Sequence, residues 1–252
     1  MTYATCFSGI GGWERGLNEC GWKLQWQCEI DEFCRQILER DFGVPIYKDA
    51  RTLLRERPIP VDVICASWPC QPFSIAGRKG GEADNRDLWP TILGVVSSLR
   101  PTWFLGENVV NAANMVLDSW QDGLEAAGYQ SIAFDIPTCA VGLPTLERHI
   151  WIIAARDGER VAGNTKGNGQ VRSRLHEWSD GSLEIKPRRW DLPASRLLRS
   201  TKGFPDFRNR IRALGNAICP QIPYLIGQAI NEIEKDHQPL TPVQNGHSPH
   251  KR

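Results

Sequence analysis

Two side chains of this 252-residue chain, Cys70 and Glu107, could act as a nucleophile and as an acid. Each of them follows a short apolar run. Cys70 stands between two prolines, just past the run 61–66, which reads as a buried strand. The flanking prolines predict a stiff loop that presents the thiol outward. Glu107 follows a second apolar run, 103–105. Open α/β sheets bind ligands at the carboxyl ends of their strands, so the sequence predicts that these two groups share a site.

A glycine-rich turn at 8–12 lies between the first predicted strand and the first predicted helix. Glycines let the backbone approach a ligand and aim amide groups at it. Glu29 ends the next predicted strand, where a carboxylate can accept hydrogen bonds from ribose hydroxyls. The turn alone is a weak signal, because nicotinamide and flavin enzymes share it. It also departs from their G-x-G-x-x-G pattern, since Glu14 stands where the third glycine would be. The alternative is a tight turn without a ligand.

Strands and helices alternate through residue 128, which predicts a doubly wound α/β fold with a mainly parallel sheet. Asp31 is expected to cap the second helix. The last two strands are expected to pair with each other, and residues 77–86 are expected to form a mobile loop. The predicted strands are 3–7, 23–28, 61–66, 103–105, 130–136 and 149–154, and the predicted helices are 13–20, 32–40, 52–57, 88–99, 112–127 and 212–233.

The net charge of +1 hides an asymmetry along the chain. Residues 155–212 carry 14 Lys and Arg against 7 Asp and Glu, a net charge of +7, and the remainder carries −6. A basic module on an acidic body is the pattern expected of a protein that binds a phosphate backbone. A solvated charged face is the alternative.

Composition excludes several classes of protein. No apolar run approaches the roughly 20 residues of a membrane span, and no signal segment opens the chain, so we expect a cytoplasmic protein without membrane contact. The eight cysteines form no Cys-x-x-Cys pair, and three of the five histidines lie in the tail, which argues against a metal site. The tail, 235–252, has almost no apolar content and is predicted to be disordered.

Segments spread along the chain resemble, in the same order, the motifs of the DNA (cytosine-5) methyltransferases of small prokaryotic or phage type. This resemblance implies the fold of the S-adenosylmethionine-dependent methyltransferases. One departure is Thr5, where the family commonly has aspartate. The matching segments are Phe7-Ser8-Gly9-Ile10-Gly11-Gly12, Pro69-Cys70-Gln71, Glu107-Asn108-Val109 and Gly215-Asn216-Ala217, followed by Pro220.

The resemblance implies that S-adenosylmethionine is the cofactor. Phe7 would pack on the adenine, Glu29 would hold the ribose and Asp49 the adenine amino group. The late helix would fold back against the glycine turn and bring Asn216 near the cofactor. The implied cofactor-binding residues are Phe7, Gly9, Ile10, Gly11, Gly12, Glu29, Ile30, Asp49, Ala50, Pro69, Asn216 and Ala217.

The resemblance also implies covalent catalysis, because carbon 5 of cytosine is a poor nucleophile. Cys70 would add to carbon 6 and Glu107 would protonate ring nitrogen 3. The family's Gln-x-Arg-x-Arg motif is absent; aligned on Gly142-x-Pro144, its three positions are Thr145, Glu147 and His149. His149 would then take the role of the second arginine, as a third catalytic residue, or a bulge would bring Arg148 round to the same face. A structural role for His149 is the alternative.

Double-stranded DNA is the implied partner, with the target base flipped out of the helix. Residues 1–154 and 208–234 would form the catalytic and cofactor-binding domain, and 155–207 a small irregular target-recognition module. We expect a monomer, with a cognate restriction endonuclease as a candidate partner. A transfer RNA methyltransferase, whose usual Cys-Phe-Thr is absent, and a catalytically impaired DNA-binding homologue are the alternatives. Candidate DNA-binding residues are Arg78, Lys79, Arg148, Arg172, Arg174, Arg188, Arg189, Arg196 and Arg199.

Overall fold

A seven-stranded sheet forms the centre of the protein, for which a computed structural model describes residues 1–69, 87–143, 147–156 and 207–237. Its strand order is β3-β2-β1-β4-β5-β7-β6. The first five of these strands run parallel, and β7 is antiparallel to both of its neighbours. The mainly parallel α/β fold and the pairing of the last two strands are thereby confirmed. The strands are β1 (Thr2–Cys6), β2 (Lys23–Cys28), β3 (Ile46–Tyr47), β4 (Val63–Ala66), β5 (Trp103–Val109), β6 (Gln130–Pro137) and β7 (Arg148–Ala155).

Helices cover both faces of this sheet. Asp31 caps the second helix as predicted, since its Oδ1 accepts a hydrogen bond from the Cys34 amide at 3.1 Å. Gly43 ends that helix in the left-handed conformation. The helices are α1 (Gly12–Asn18), α2 (Glu32–Phe42), α3 (Trp89–Leu99), α4 (Val110–Ala126), α5 (Phe207–Gly215) and α6 (Gln221–Asp236), with short 3-10 turns at Leu53–Glu56 and Thr138–Val141. Within the described ranges, no helix is both long and apolar enough to cross a membrane.

Each face of the sheet has its own apolar core. On one face, α3 and α4 cover a cluster of tryptophans in which Trp68 packs against Trp89 and Trp120, with ring centroids 5.1 and 4.9 Å away. On the other face, Trp13 packs edge-on against Trp151 at 5.2 Å. The clusters reach the carboxyl edge of the parallel strands through Trp68 on one face and Trp13 on the other.

Residues 218–236, which we call the late segment, pack directly on α1. A Cβ at Gly12 would lie 2.8 Å from the carbonyl oxygen of Ile218, and one at Gly16 would lie 2.9 Å from the Cβ of Pro223. Only glycine allows this approach at both positions. The late segment thus folds back against the glycine turn, as the resemblance implied.

The structure differs from the sequence-based expectations at several boundaries. β5 continues past Leu105 to Val109, because its polar residues still pair with β7. The predicted helix 212–233 is two helices, separated by a turn at 216–220. Helix α6 extends to Asp236, so the first two residues of the predicted tail are helical. The predictions for 77–86, for 157–206 and for the tail beyond His237 lie outside the described residues.

Candidate active site

The glycine turn between β1 and α1 has an unusual backbone. Gly9 and Gly11 have positive φ angles of 55° and 88°, and so does Phe7 at 57°. A bulky residue in this region is uncommon and marks a conformation that its surroundings impose. The Ser8 amide donates to the carbonyl of Cys28 at 3.2 Å, which fixes the turn against the end of β2. The turn is therefore a rigid part of the sheet edge.

Glu29, at the end of β2, closes this turn from the other side. Its two carboxylate oxygens accept hydrogen bonds from the amides of Gly9 and Asp31, each at 2.8 Å. Burial raises the pKa of this carboxyl, and the two amide hydrogen bonds oppose that effect. No described atom lies within 4 Å of a Cβ built at Gly9, and the neighbouring Ile30 side chain is 60% exposed. Open space, an acceptor carboxylate and an exposed apolar side chain together suit a nucleoside.

A buried polar network supports the turn from below. Glu14, completely buried, accepts hydrogen bonds from the Thr5 hydroxyl and the Gln27 amide, both at 2.6 Å. The Thr5 hydroxyl is also 2.6 Å from that of Ser8 in the turn. Burial raises the pKa of Glu14. Glu14, which breaks the dinucleotide-binding pattern, thus links Thr5 of β1 and Gln27 of β2 beneath the turn.

Asp49 lies at the same edge, after β3, with an ion pair that the sequence did not predict. Arg51 contacts both of its carboxylate oxygens, at distances from 2.7 to 3.1 Å. The hydrogen bonds from Arg51 lower the pKa of Asp49. Ala50 between them is buried. A ligand amino group at Asp49 would share this carboxylate with Arg51.

The segment that leads to Cys70 is held from two sides. The Trp13 indole nitrogen donates to the Ser67 hydroxyl at 2.9 Å, which ties the segment to α1. Asn108 donates to the carbonyl of Trp68 at 3.0 Å and accepts from the Val109 amide at 2.9 Å, which ties it to β5. We call Ser67 and Trp68 the loop root. Pro69 after it is exposed, and Cys70, Arg78 and Lys79 lie outside the described residues.

Glu107 and His149 meet on neighbouring strands. Glu107 lies on β5, and its Oε1 is in hydrogen-bond contact with Nδ1 of His149 on β7. Their side chains are 6% and 21% exposed. Burial alone would lower the pKa of His149, but the hydrogen bond and the negative charge of Glu107, with a contribution from Glu147, raise it above 6.5. The predicted acid therefore has a basic partner, 42 residues away in sequence.

Arg148 lies on the opposite face of β7. The register of β7 is continuous from 149 to 155 with β5 and from 148 to 155 with β6, so no bulge turns Arg148 toward Glu107. Arg148 instead forms an ion pair with Asp135 on β6, and its side chain is 61% exposed. Of the two candidates for the missing motif arginine, only His149 is in contact with the predicted acid.

The turn between α5 and α6 carries the remaining predicted cofactor residues. An ion pair between Arg212 of α5 and Asp31 of α2 fastens this region beside Glu29. The amides of Asn216 and Ala217 bond back to α5 at 3.2 Å, and Asn216 is exposed. The two residues lie just before Ile218, which packs on Gly12. The candidates Arg172, Arg174, Arg188, Arg189, Arg196 and Arg199 lie outside the described residues.

Comparisons with known proteins agree with this arrangement. Residues 1–204 match the family "C-5 cytosine-specific DNA methylase". The chain is 29% identical to the type II methyltransferase M.HhaI of Haemophilus parahaemolyticus over 163 residues, 62% of this chain and 50% of that protein. It is 34% identical to M.HpaII of Haemophilus parainfluenzae over 117 residues, 45% of this chain and 33% of that protein. The chain thus spans half or less of the length of these relatives.

Solved structures share the fold at low sequence identity. A Dnmt2 methyltransferase of S. pombe has a TM-score of 0.61 at 14% identity, with 92% of this chain and 99% of that chain covered. The Entamoeba histolytica methyltransferase EhMeth has the same TM-score at 13% identity, covering 95% and 99%. With most of its length matched by the family and with the glycine turn, loop root and Glu107 at one sheet edge, the chain belongs to the C-5 cytosine-specific DNA methylases.

Proposed function

We propose that this protein transfers a methyl group from S-adenosylmethionine to carbon 5 of cytosine, at a short specific sequence in double-stranded DNA. The observation that carries the proposal is the loop root, because Asn108 and Trp13 fasten the residues before Cys70 to β5, which carries Glu107, and to α1, which follows the glycine turn. The match to the methylase family and the similarity to type II methyltransferases support the same reaction.

The turn and the residues around Glu29 fit S-adenosylmethionine, the methyl donor of this family. Glu29 keeps lone pairs for ribose hydroxyls while its amide hydrogen bonds hold the turn. The exposed Ile30 and the constrained Phe7 offer apolar contact to an adenine ring. The open space at Gly9 allows the backbone to approach the methionine part. When bound, the cofactor supplies an electrophilic methyl group on a sulfonium centre.

The protein's own groups make carbon 5 reactive. The Cys70 thiolate adds to carbon 6 of the flipped cytosine, and ring nitrogen 3 takes a proton from Glu107. The electrons of the former 5,6 double bond move to a 4,5 double bond, which leaves an enamine whose carbon 5 is nucleophilic. Once carbon 5 has taken the methyl group, it gives up its proton to a base. The 5,6 double bond re-forms as the bond between the Cys70 sulfur and carbon 6 breaks, nitrogen 3 returns its proton, and Cys70 leaves as the thiolate.

DNA would be held by the basic module at 155–207. Its net positive charge suits a phosphate backbone, and a few of its arginines would read base edges in the major groove. Affinity for duplex DNA should then fall steeply as salt rises, because neutralised phosphates release counterions. Neutralising Arg172, Arg174, Arg188 and Arg189 together should flatten that slope and leave cofactor binding unchanged. An affinity that is insensitive to salt would contradict the module's role.

Methyl transfer itself is tested with labelled cofactor and duplex DNA, followed by digestion to nucleosides. We expect label in 5-methylcytosine with the wild type and with Cys139→Ser, a matched control at an exposed cysteine. Cys70→Ser should lose the activity but keep cofactor binding, and duplex DNA with 5-fluorocytosine at the target should trap the wild type covalently. Transfer RNA serves as a parallel substrate. Label in transfer RNA alone, or no label in either, would refute the proposal.

A further inference from the structure

We propose that Glu107 and His149 hold one exchangeable proton between them, so that His149 keeps the acid of the reaction loaded at neutral pH. His149 is then a positioning residue that acts through Glu107, rather than a copy of an arginine that contacts the DNA. The inference rests on the proposed function, in which Glu107 protonates the base. The new element is the pair of groups that hold this proton before it is transferred.

The geometry of the sheet isolates the pair. Alternation places Glu107 and His149 on the same face of β5 and β7, with Nδ1 of the ring against Oε1 of the carboxyl group. On this face β6 presents Ile136 and Phe134, which are apolar. Among the described residues, the only other charge recorded as acting on the ring is the carboxylate of Glu147, just before β7. Within the described residues, Glu107 is thus the carboxylate in contact with the His149 ring.

Counting protons shows why the partner matters. A carboxylic acid with an ordinary pKa of about 4.3 keeps only roughly 0.2% of its protons at pH 7. The contact with Glu107 raises the pKa of His149 from its ordinary value, which favours the protonated ring. Because the ring nitrogen and the carboxylate oxygen are in contact, a proton can pass directly between the two groups.

One proton moves from the pair to the base and back during the reaction. The sulfur–carbon 6 bond forms, nitrogen 3 takes the shared proton through Glu107, and the pair is left as a carboxylate beside a neutral imidazole. The proton returns to the pair when nitrogen 3 gives it up as Cys70 leaves. A fixed cation at position 149 would stabilise the carboxylate but could not supply the proton.

The pair can be tested without catalysis by NMR titration of the His149 ring. In the wild type its pKa should lie above 6.5, and in Glu107→Gln it should fall by about one pH unit or more, because the neutral amide removes the opposite charge. His237, at the end of α6, is the internal control, and its ring signals should be the same in both proteins. An unchanged His149 pKa in Glu107→Gln would overturn the shared proton.

Single-turnover methylation then tests its use. His149→Gln keeps a hydrogen-bond donor but cannot hold the proton, so its rate at pH 7 should be lower by about 100-fold. The ratio of the wild-type rate to the His149→Gln rate should be constant at low pH and should fall as the pH rises through the pKa of His149. His237→Gln should follow the wild type. A His149→Gln protein with the wild-type rate at pH 7 would overturn the inference.

The two measurements separate the possible failures. If the wild type methylates DNA but the pH-dependent ratio is flat, the proposed function stands and the role of His149 is wrong. If the wild type methylates no substrate, the proposed function fails, and the NMR titration still decides whether the two groups share a proton.

Discussion

Asn108 is the residue whose loss should most clearly connect stability with activity. Its side chain satisfies the buried carbonyl of Trp68 and the amide of Val109, at 3.0 and 2.9 Å. Asn108→Ala removes both hydrogen bonds. Leaving the Trp68 carbonyl unpaired should cost about 1–3 kcal/mol and the half-buried Val109 amide about 1 kcal/mol more, so we expect a loss of about 2–4 kcal/mol in the free energy of unfolding.

The functional effect should exceed the effect on folding. A shift of the loop root by about 1 Å would misplace the nucleophile and could lower the rate about 100-fold. Urea unfolding measures the first effect, and single-turnover methylation at a temperature where the variant is fully folded measures the second. Asn108→Asp separates the two hydrogen bonds, because it still accepts from Val109 but cannot donate to Trp68.

Gln121→Ala is the matched control, because it deletes one amide hydrogen bond, to Ser131 at 3.3 Å, away from the site. We expect it to lose less than about 1 kcal/mol and no activity. If the free energy of unfolding of Asn108→Ala lies within about 0.5 kcal/mol of the wild-type value, Asn108 does not anchor the loop root. If it is destabilised but methylates normally, the loop root need not be fixed for catalysis.

Three further changes test the turn and its supports. Gly16→Ala should destabilise the protein by about 1–3 kcal/mol by forcing its Cβ into the late segment, whereas Gly94→Ala, at a helical glycine with open space around it, should be neutral or stabilise by up to about 1 kcal/mol in urea unfolding. A double-mutant cycle of Trp13→Phe and Ser67→Ala should give a coupling energy of about 0.5–1.5 kcal/mol, and no coupling would remove the link between α1 and the loop root. Glu29→Gln cannot accept from both amides, so its affinity for S-adenosylmethionine, measured by calorimetry, should fall about 10-fold or more; an unchanged affinity would show that the carboxylate is not in the cofactor site.

The periodic parts of the chain could be predicted from sequence, because burial of one or both faces leaves a pattern in adjacent residues. Strand β2 was predicted at its observed bounds, and so was the Asp31 cap. The end of β5 was missed, since Glu107 and Asn108 are polar and look like a loop. They belong to the strand because β5 lies between β4 and β7, and the ladder to β7 satisfies their backbone groups.

Contacts between residues that are distant in the sequence produce no periodic pattern from which they could be predicted. The contact of His149 with Glu107 depends on the register of two antiparallel strands, which no local signal fixes. The same holds for Trp13 and Ser67, 54 residues apart. Glu14 was noticed only as a mismatch, because its partners Thr5 and Gln27 lie on two different strands.

The packing of the late segment on α1 has a consequence for synthesis of the protein. The sulfur of Cys20 donates to the carbonyl of Tyr224 across 204 residues, so the apolar face of α1 stays uncovered on the ribosome until α6 emerges. At roughly 5–20 residues per second this interval lasts about 10–40 s. We expect nascent chains that end before residue 207 to recruit chaperones through Leu17, which packs beside Gly227 of α6, and to be released once α6 has docked on α1.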